Sequence, residues 1–183
     1  MMKSTMLGYV VLGVLALHPA MSAAQTYPER PLTYVVPYAP GGAADVFARQ
    51  LAQKLGERLG RPVVVENRPG ANGNIGSAHV ANGAADGYTL LLGSASTITI
   101  NPHLYGRNMP YDPLKDLQAV SGTHAMANVL VVNNATPYRS VAEVIAAAKL
   151  RPGALAYASA GTGNTMHLAG EQFTVSNSRC RPA

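Results

Sequence analysis

Cysteine is almost absent from this 183-residue chain: Cys180, near the end, is the only one, so no internal disulfide can form. No cysteine stands near the N-terminus either, which argues against a lipid-anchored form. Stability must therefore come from a packed core, and a hydrophobic content of 48% is ample for one. Long apolar runs are also scarce. The single run, Met6 to Leu17, is too short to span a bilayer, and no second one follows. It lies after Lys3 and before Pro19 and Ser22-Ala23-Ala24, the three-part layout of a secretory signal peptide cut near Ala24. The expected mature protein is exported and periplasmic.

Charge is sparse as well. Net charge is +5, but Lys3, Arg179 and Arg181 are three of the fourteen basic residues. Eleven remain between Gln25 and Phe173 against nine acidic ones, a balance of +2 without any basic run. Nucleic acid is not an expected partner.

Enzyme signatures are missing too. No glycine-rich loop ends in Gly-Lys-Ser/Thr, so a Walker-type nucleotide site has no support. Gly70, Gly73 and Gly76 are spaced three apart, and Gly161-Thr162-Gly163 lacks a third glycine, so neither makes a dinucleotide fingerprint. There is no Gly-x-Ser-x-Gly elbow. His79, His103, His124 and His167 stand more than twenty residues apart, without the pairing a metal site needs. No catalytic residue, metal or cofactor is expected.

What the chain does have is punctuated α/β periodicity. Thr33 to Val36 reads as a buried strand, stopped by Pro40 and Gly41-Gly42. A helix follows over about 43–59, with Phe47, Leu51 and Leu55 recurring on one face and Gly60 ending it. Val63 to Val65 is a second buried strand, 75–81 a helix, and Tyr88 to Leu92 a third buried strand. The order β-α-β-α-β implies a parallel sheet with helices on both faces. Breakers from Asn101 to Asp116 suggest a linker or lobe boundary. Beyond it, Val129 to Val132 reads as a strand and Ser140 with Glu143 as a capping box for a helix over 141–150. Ala154 to Ala158 reads as another strand, and a helix opens at Met166.

Two turns carry the candidate chemistry. The first, Ala39, Pro40, Gly41 and Gly42, leads into a helix with almost no side chains over its first amides. Unpaired helix-end donors and the partial positive charge there suit a carboxylate or phosphate. A plain strand-to-helix connection, capped by Asp45 or water, is the alternative. Asp45 is either that cap or a cleft carboxylate that orders water or meets a ligand. The second turn, Gly161, Thr162, Gly163, Asn164 and Thr165, repeats the design, and its polar side chains either contact ligand or cap the next helix. His167 reads as a structural histidine more readily than as a ligand contact, and Arg68-Pro69 as a solvated turn. Facing one another across a cleft, the two turns would hold an anion between lobes.

Several motifs together resemble the tripartite tricarboxylate transporter receptors, the Bug proteins. They include Tyr27-Pro28-Glu29-Arg30-Pro31, Pro37 to Gly42 with Asp45, and Val65 to Ala71. Asp86 to Leu91, Asn101 to Tyr105, Tyr111-Asp112-Pro113, and Gly161-Thr162-Gly163 with His167 to Glu171 complete the set. The resemblance runs from about Tyr27 to Phe173. It implies a two-lobed, periplasmic-binding-protein-like α/β fold of the Venus-flytrap type (type II). It also implies a monomeric receptor that hands a small carboxylate to the membrane permease of a tripartite tricarboxylate transporter. That solute is a mono-, di- or tricarboxylate or an acidic amino acid. Its carboxylate would meet Ala39, Pro40, Gly41, Gly42 and Asp45 from one side and Gly161, Thr162, Gly163, Asn164 and Thr165 from the other. The resulting division is a signal peptide over 1–24, a first lobe over 25–100, the start of a second over 101–173, and a tail over 174–183 unlike the family. Family members continue beyond this point, so a C-terminal truncation is expected. The region after Asn164 is expected to fray, while that before about Asn101 is the better ordered. A small exported α/β enzyme acting on an organic acid and a non-functional truncated product are the competing readings.

Overall fold

The computed structural model describes residues 27–177 and 181–182. The expected signal peptide over 1–24 and Cys180 lie outside the described residues. Strand β1 (Leu32–Val36) leads into helix α1 (Ala43–Leu59), followed by β2 (Val63–Asn67), α2 (Asn74–Ala81) and β3 (Thr89–Leu91). The β-α-β-α-β order thus stands as expected. The three strands form one parallel sheet in the order β2-β1-β3. Leu32 pairs with Val63 and Val36 with Asn67 on one side, and Thr33 pairs with Thr89 on the other.

The central place of β1 sets the core. Side chains alternate between the two faces of a strand. Tyr34 and Val36 share a cluster with Ala48, Ala52 and Leu92, against which Phe47, Leu51 and Val65 pack. Val35 is fully buried on the opposite face, and α2 packs against β1 and β3. On α1 it is Ala48 and Ala52 that are buried, while Phe47, Leu51 and Leu55 are only half-buried. Small residues let the helix axis approach the sheet closely, and the larger side chains splay to its flanks.

Two strands expected to be buried are half-covered instead. β2 and β3 are the sheet's edges among the described residues, and Val64 is 55% exposed. A β-branched run reports the preference for strand, not the number of neighbours the strand finds.

Beyond β3 the chain makes a π-helical turn at Ser96–Ile100 that runs straight into helix α3 (Asn101–Tyr105). The start of the breaker-rich stretch is packed against the first three strands' helices and turns. Asn101 is fully buried and Tyr111 nearly so. Asn101 Nδ2 donates to Asn74 Oδ1 (2.7 Å) and to the Asn72 carbonyl (3.0 Å), and Tyr111 Oη donates to the Thr97 carbonyl (2.7 Å). These bonds tie the segment to the start of α2.

Helix α4 (Val141–Leu150) opens on the expected cap: Glu143 N donates to Ser140 Oγ (3.3 Å). Strand β4 (Ala156–Tyr157) is shorter than expected and pairs in parallel with β5 (Arg181–Pro182). Helix α5 spans Thr165–Asn177. It runs past Phe173 into the stretch that lacks an apolar period. Thr174 is buried there, and its hydroxyl donates to the Glu171 carbonyl (2.8 Å). The expected strand Val129–Val132 is not formed, and residues 118–133 have no regular structure. A strand needs a neighbour to receive its backbone hydrogen bonds, and among the described residues none lies beside this run.

Candidate functional site

The carboxyl ends of the three parallel strands converge on one edge of the sheet, and each continues into a turn of small residues. β1 ends in Pro37-Tyr38-Ala39-Pro40-Gly41-Gly42, β2 in the loop to Gly73, and β3 in Gly93-Ser94-Ala95. In open parallel sheets the crevice outside these ends, where the strand order reverses, is the usual place for a ligand. Here the reversal is at β1, with β2 on one side and β3 on the other.

The β1–α1 turn is open. Ala39, Pro40, Gly41, Gly42 and Ala43 are all exposed. Gly42 is the N-cap of α1, and no side chain caps it. The first bond of the helix runs from Val46 N to the Gly42 carbonyl (3.0 Å), so the amides of Ala43, Ala44 and Asp45 have no acceptor within the helix. Gly41 takes φ +82°, a left-handed conformation that a side chain resists.

Asp45 sits directly below this turn and is 3% exposed. Its Oδ2 accepts from the Gly41 amide (2.9 Å) and from Arg49 Nε (3.0 Å), and its Oδ1 accepts from Asn67 Nδ2 (2.9 Å). Asn67 Nδ2 also donates to the Tyr38 carbonyl (3.2 Å), and Arg49 donates to Asn67 Oδ1 (3.1 Å). The Arg49 guanidinium, the Gly41 amide and the Asn67 amide together hold the Asp45 carboxyl down to about 2. Both carboxylate oxygens are used inside the protein. Through Gly41 they brace the turn and leave the first amides of α1 uncapped.

Sequence reasoning missed the partners of this turn. Tyr38 Oη lies 2.5 Å from Ser94 Oγ, and Ser94 N donates to Thr97 Oγ1 (3.0 Å), so β3's turn buttresses β1's. The signal was present, since Gly93-Ser94-Ala95-Ser96-Thr97 is a third run of small residues after a strand. Asn67 and Arg49 carried no such mark.

In the second turn Gly163 and Asn164 are buried, while Gly161, Thr162 and Thr165 are exposed. Asn164 Oδ1 accepts from the His167 amide (2.9 Å), which is the capping role for α5. The Gly163 amide donates to His167 Nδ1 (3.4 Å), so His167 is part of the turn's own scaffold. Tyr157 Oη donates to Glu171 Oε1 (2.6 Å), and desolvation together with that carboxylate pushes the phenol up to about 12. Gly163 takes φ +84°, and a Cβ there would meet Leu104 Cδ1 and come within 3.3 Å of Asn72 Nδ2. The structure thus brings the second turn against the loop after β2 and against α3, on the sheet edge where the first turn also lies. Arg68 pairs with Glu66 (2.7 Å) at the surface, as the solvated-turn reading expected. Among the described residues no cluster of three metal-ligating side chains occurs.

Comparison with known proteins gives these features a context. The family model for the tripartite tricarboxylate transporter family receptor matches residues 47–178, beginning two residues after Asp45. Protein BugT of Bordetella pertussis is 44% identical over 153 residues, which is 84% of this chain and 47% of the relative. The chain spans about half the length of the curated relatives it matches. Among solved structures, R. palustris Rpa4515 with adipate superposes with a TM-score of 0.80 at 37% identity, covering 86% of this chain and 53% of that one. MatC (Rpa3494) from Rhodopseudomonas palustris with bound malate gives 0.68 at 25% identity, covering 86% and 53%.

Proposed function

This chain belongs to the tripartite tricarboxylate transporter receptor family, and from that premise we propose that it contributes to an extracytoplasmic receptor for a small carboxylate. The observation that carries the reading is the uncapped N-terminus of α1, exposed at the carboxyl end of the central strand. An anion placed there accepts from backbone amides and meets the positive end of the helix dipole. Ala39, Pro40, Gly41 and Gly42 line that site, its open amides are those of Ala43, Ala44 and Asp45, and the Asp45 carboxylate acts through Gly41 by fixing the turn. Gly161, Thr162, Gly163, Asn164 and Thr165 form the opposing wall, with Thr162 and Thr165 exposed.

The division that goes with this function is a first lobe over 25–100 and a second beginning at 101, with the solute between them. Two similar structures hold adipate and malate, both dicarboxylates. The solute class is accordingly a mono-, di- or tricarboxylate or an acidic amino acid. A membrane permease of the tripartite tricarboxylate type receives it, and the periplasm is the compartment.

The experiment is thermal denaturation of the protein with adipate, malate or citrate, set against their neutral esters and amides. A ligand that binds only the folded state stabilises it by about 2.7 kcal/mol at a concentration one hundred times its Kd. The acids should raise Tm and the neutral forms should not. Equal shifts would overturn the helix-end site, and chemical conversion of the acid would favour the enzyme reading.

A further inference from the structure

Histidine is the side chain whose charge ordinarily changes between about pH 5 and 8, and one stands in the scaffold of the second turn. The Gly163 amide donates to His167 Nδ1 (3.4 Å), and the His167 amide donates to Asn164 Oδ1 (2.9 Å). A ring nitrogen that accepts a hydrogen bond carries no proton, so the neutral imidazole bears its hydrogen on Nε2. Nε2 lies 3.9 Å from Glu171 Oε1, beyond hydrogen-bond reach. That same oxygen accepts from Tyr157 Oη (2.6 Å), which holds the carboxylate in place beside the ring. The His167 side chain is 21% exposed, enough for water to deliver a proton.

Among the described side chains, the titratable groups beside the imidazole are Glu171 on its own helix and Tyr157 on β4, whose Oη also lies 3.4 Å from the His167 carbonyl. β5, which packs against α5, carries Arg181. From the loop after β2 and from α3 it is the uncharged Asn72 and Leu104 that stand against Gly163. A proton on Nδ1 sets one N–H against another and removes the acceptor of the Gly163 amide. Gly163 is buried, and a buried donor left without a partner is unfavourable, so the turn has to open for that amide to reach water. The imidazolium is meanwhile drawn to the Glu171 carboxylate. Neutral and charged rings thus favour different partners, Gly163 in one case and Glu171 in the other.

We propose that His167 is a proton-operated latch on the 161–165 turn. Neutral, it fixes Gly163 and with it one wall of the carboxylate site; protonated, it releases Gly163 and turns to Glu171, so the carboxylate is held more weakly in acid. The consequence for binding rests on the carboxylate reading above, whereas the latch itself does not.

The test is a pH series on the 183-residue chain between about pH 5 and 8. NMR follows the His167 ring, amide exchange follows Gly163, and calorimetry follows malate and adipate. As the ring takes up its proton, protection of the Gly163 amide should fall at least ~10-fold and the carboxylate Kd should rise at least ~5-fold, with one midpoint for all three. His167→Asn keeps an acceptor where Nδ1 stands and does not titrate. It should hold Gly163 protected throughout, and its Kd should change only with protonation of the ligand itself, which the unmodified chain shares. His167→Phe has no acceptor there and should leave Gly163 unprotected at every pH. Ring protonation that leaves Gly163 protected overturns the latch, as does a loss of Gly163 protection in acid that survives in His167→Asn. Absence of binding at every pH overturns the carboxylate reading, while loss of Gly163 protection on ring protonation would then still uphold the latch.

Discussion

Asp45 and Asn67 are twenty-two residues apart in sequence, and a 2.9 Å hydrogen bond joins them. One stands in the first turn of α1 and the other ends β2, so the bond clamps the exits of two adjacent strands. Through Asp45 the clamp reaches the Gly41 amide, and through Asn67 the Tyr38 carbonyl. The open turn of the candidate site is thus held rigid from beneath while its upper side stays exposed.

The clamp has a pH signature. The Asp45 carboxyl is depressed to about 2 from an ordinary value of 3.8. A depressed acid contributes stability that is complete above its unfolded value and is lost as pH falls toward its folded value. The contribution from Asp45 is therefore full above about pH 4 and disappears between about 4 and 2. Denaturant titrations across that window should show stability falling with acid. Asp45→Asn should be less stable at pH 7 and should flatten the slope between 4 and 2. An unchanged slope would mean that the carboxylate is not held by Arg49, Gly41 and Asn67 in solution.

Gly76 marks a close approach. A Cβ there would lie 2.9 Å from both the Arg68 carbonyl oxygen and Pro37 Cα, and backbone atoms do not yield as side-chain tips do. Gly76→Ala should destabilise by about 1–3 kcal/mol, the usual cost of overpacking, despite alanine's better helix propensity. Chemical denaturation reads the result. A neutral or stabilising substitution would show that α2 sits further from the end of β1.

Asn101 anchors the segment after β3. Its side chain is fully buried, donates to Asn74 Oδ1 and the Asn72 carbonyl, and accepts from Asn72 Nδ2 (2.8 Å). Asn101→Ala leaves these groups without their partner and should cost about 1–3 kcal/mol. Because Asn72 also lies beside Gly163, hydrogen exchange in the 161–165 turn should rise along with that in α3. An effect confined to α3 would sever the link between the two turns.

Much of this molecule was legible in its residues. Strand β1, the Pro/Gly stop, the helix to Gly60 and the Ser140–Glu143 cap depend on interactions a few residues apart, and the chain carries these directly. The family resemblance was legible for a related reason: short motifs recur in fixed order, and the family model matches residues 47–178. Other features depend on which distant segments meet. Local pattern predicted that β1, β2 and β3 exist but not that β1 lies between the others. That order alone brings Ser94 to Tyr38 and Asn67 to Asp45. Asp45 was open to two roles in sequence, and only the fold brings Asn67 to its carboxylate. Val129–Val132 has strand propensity without strand structure, because propensity belongs to the residue and pairing belongs to its neighbours. Helix α5 runs on to Asn177, past the end of its apolar period, and Thr174 is buried in that extension. Composition and short-range order determined the elements; the strand order and the available neighbours decided which of them were completed and which amides were left open.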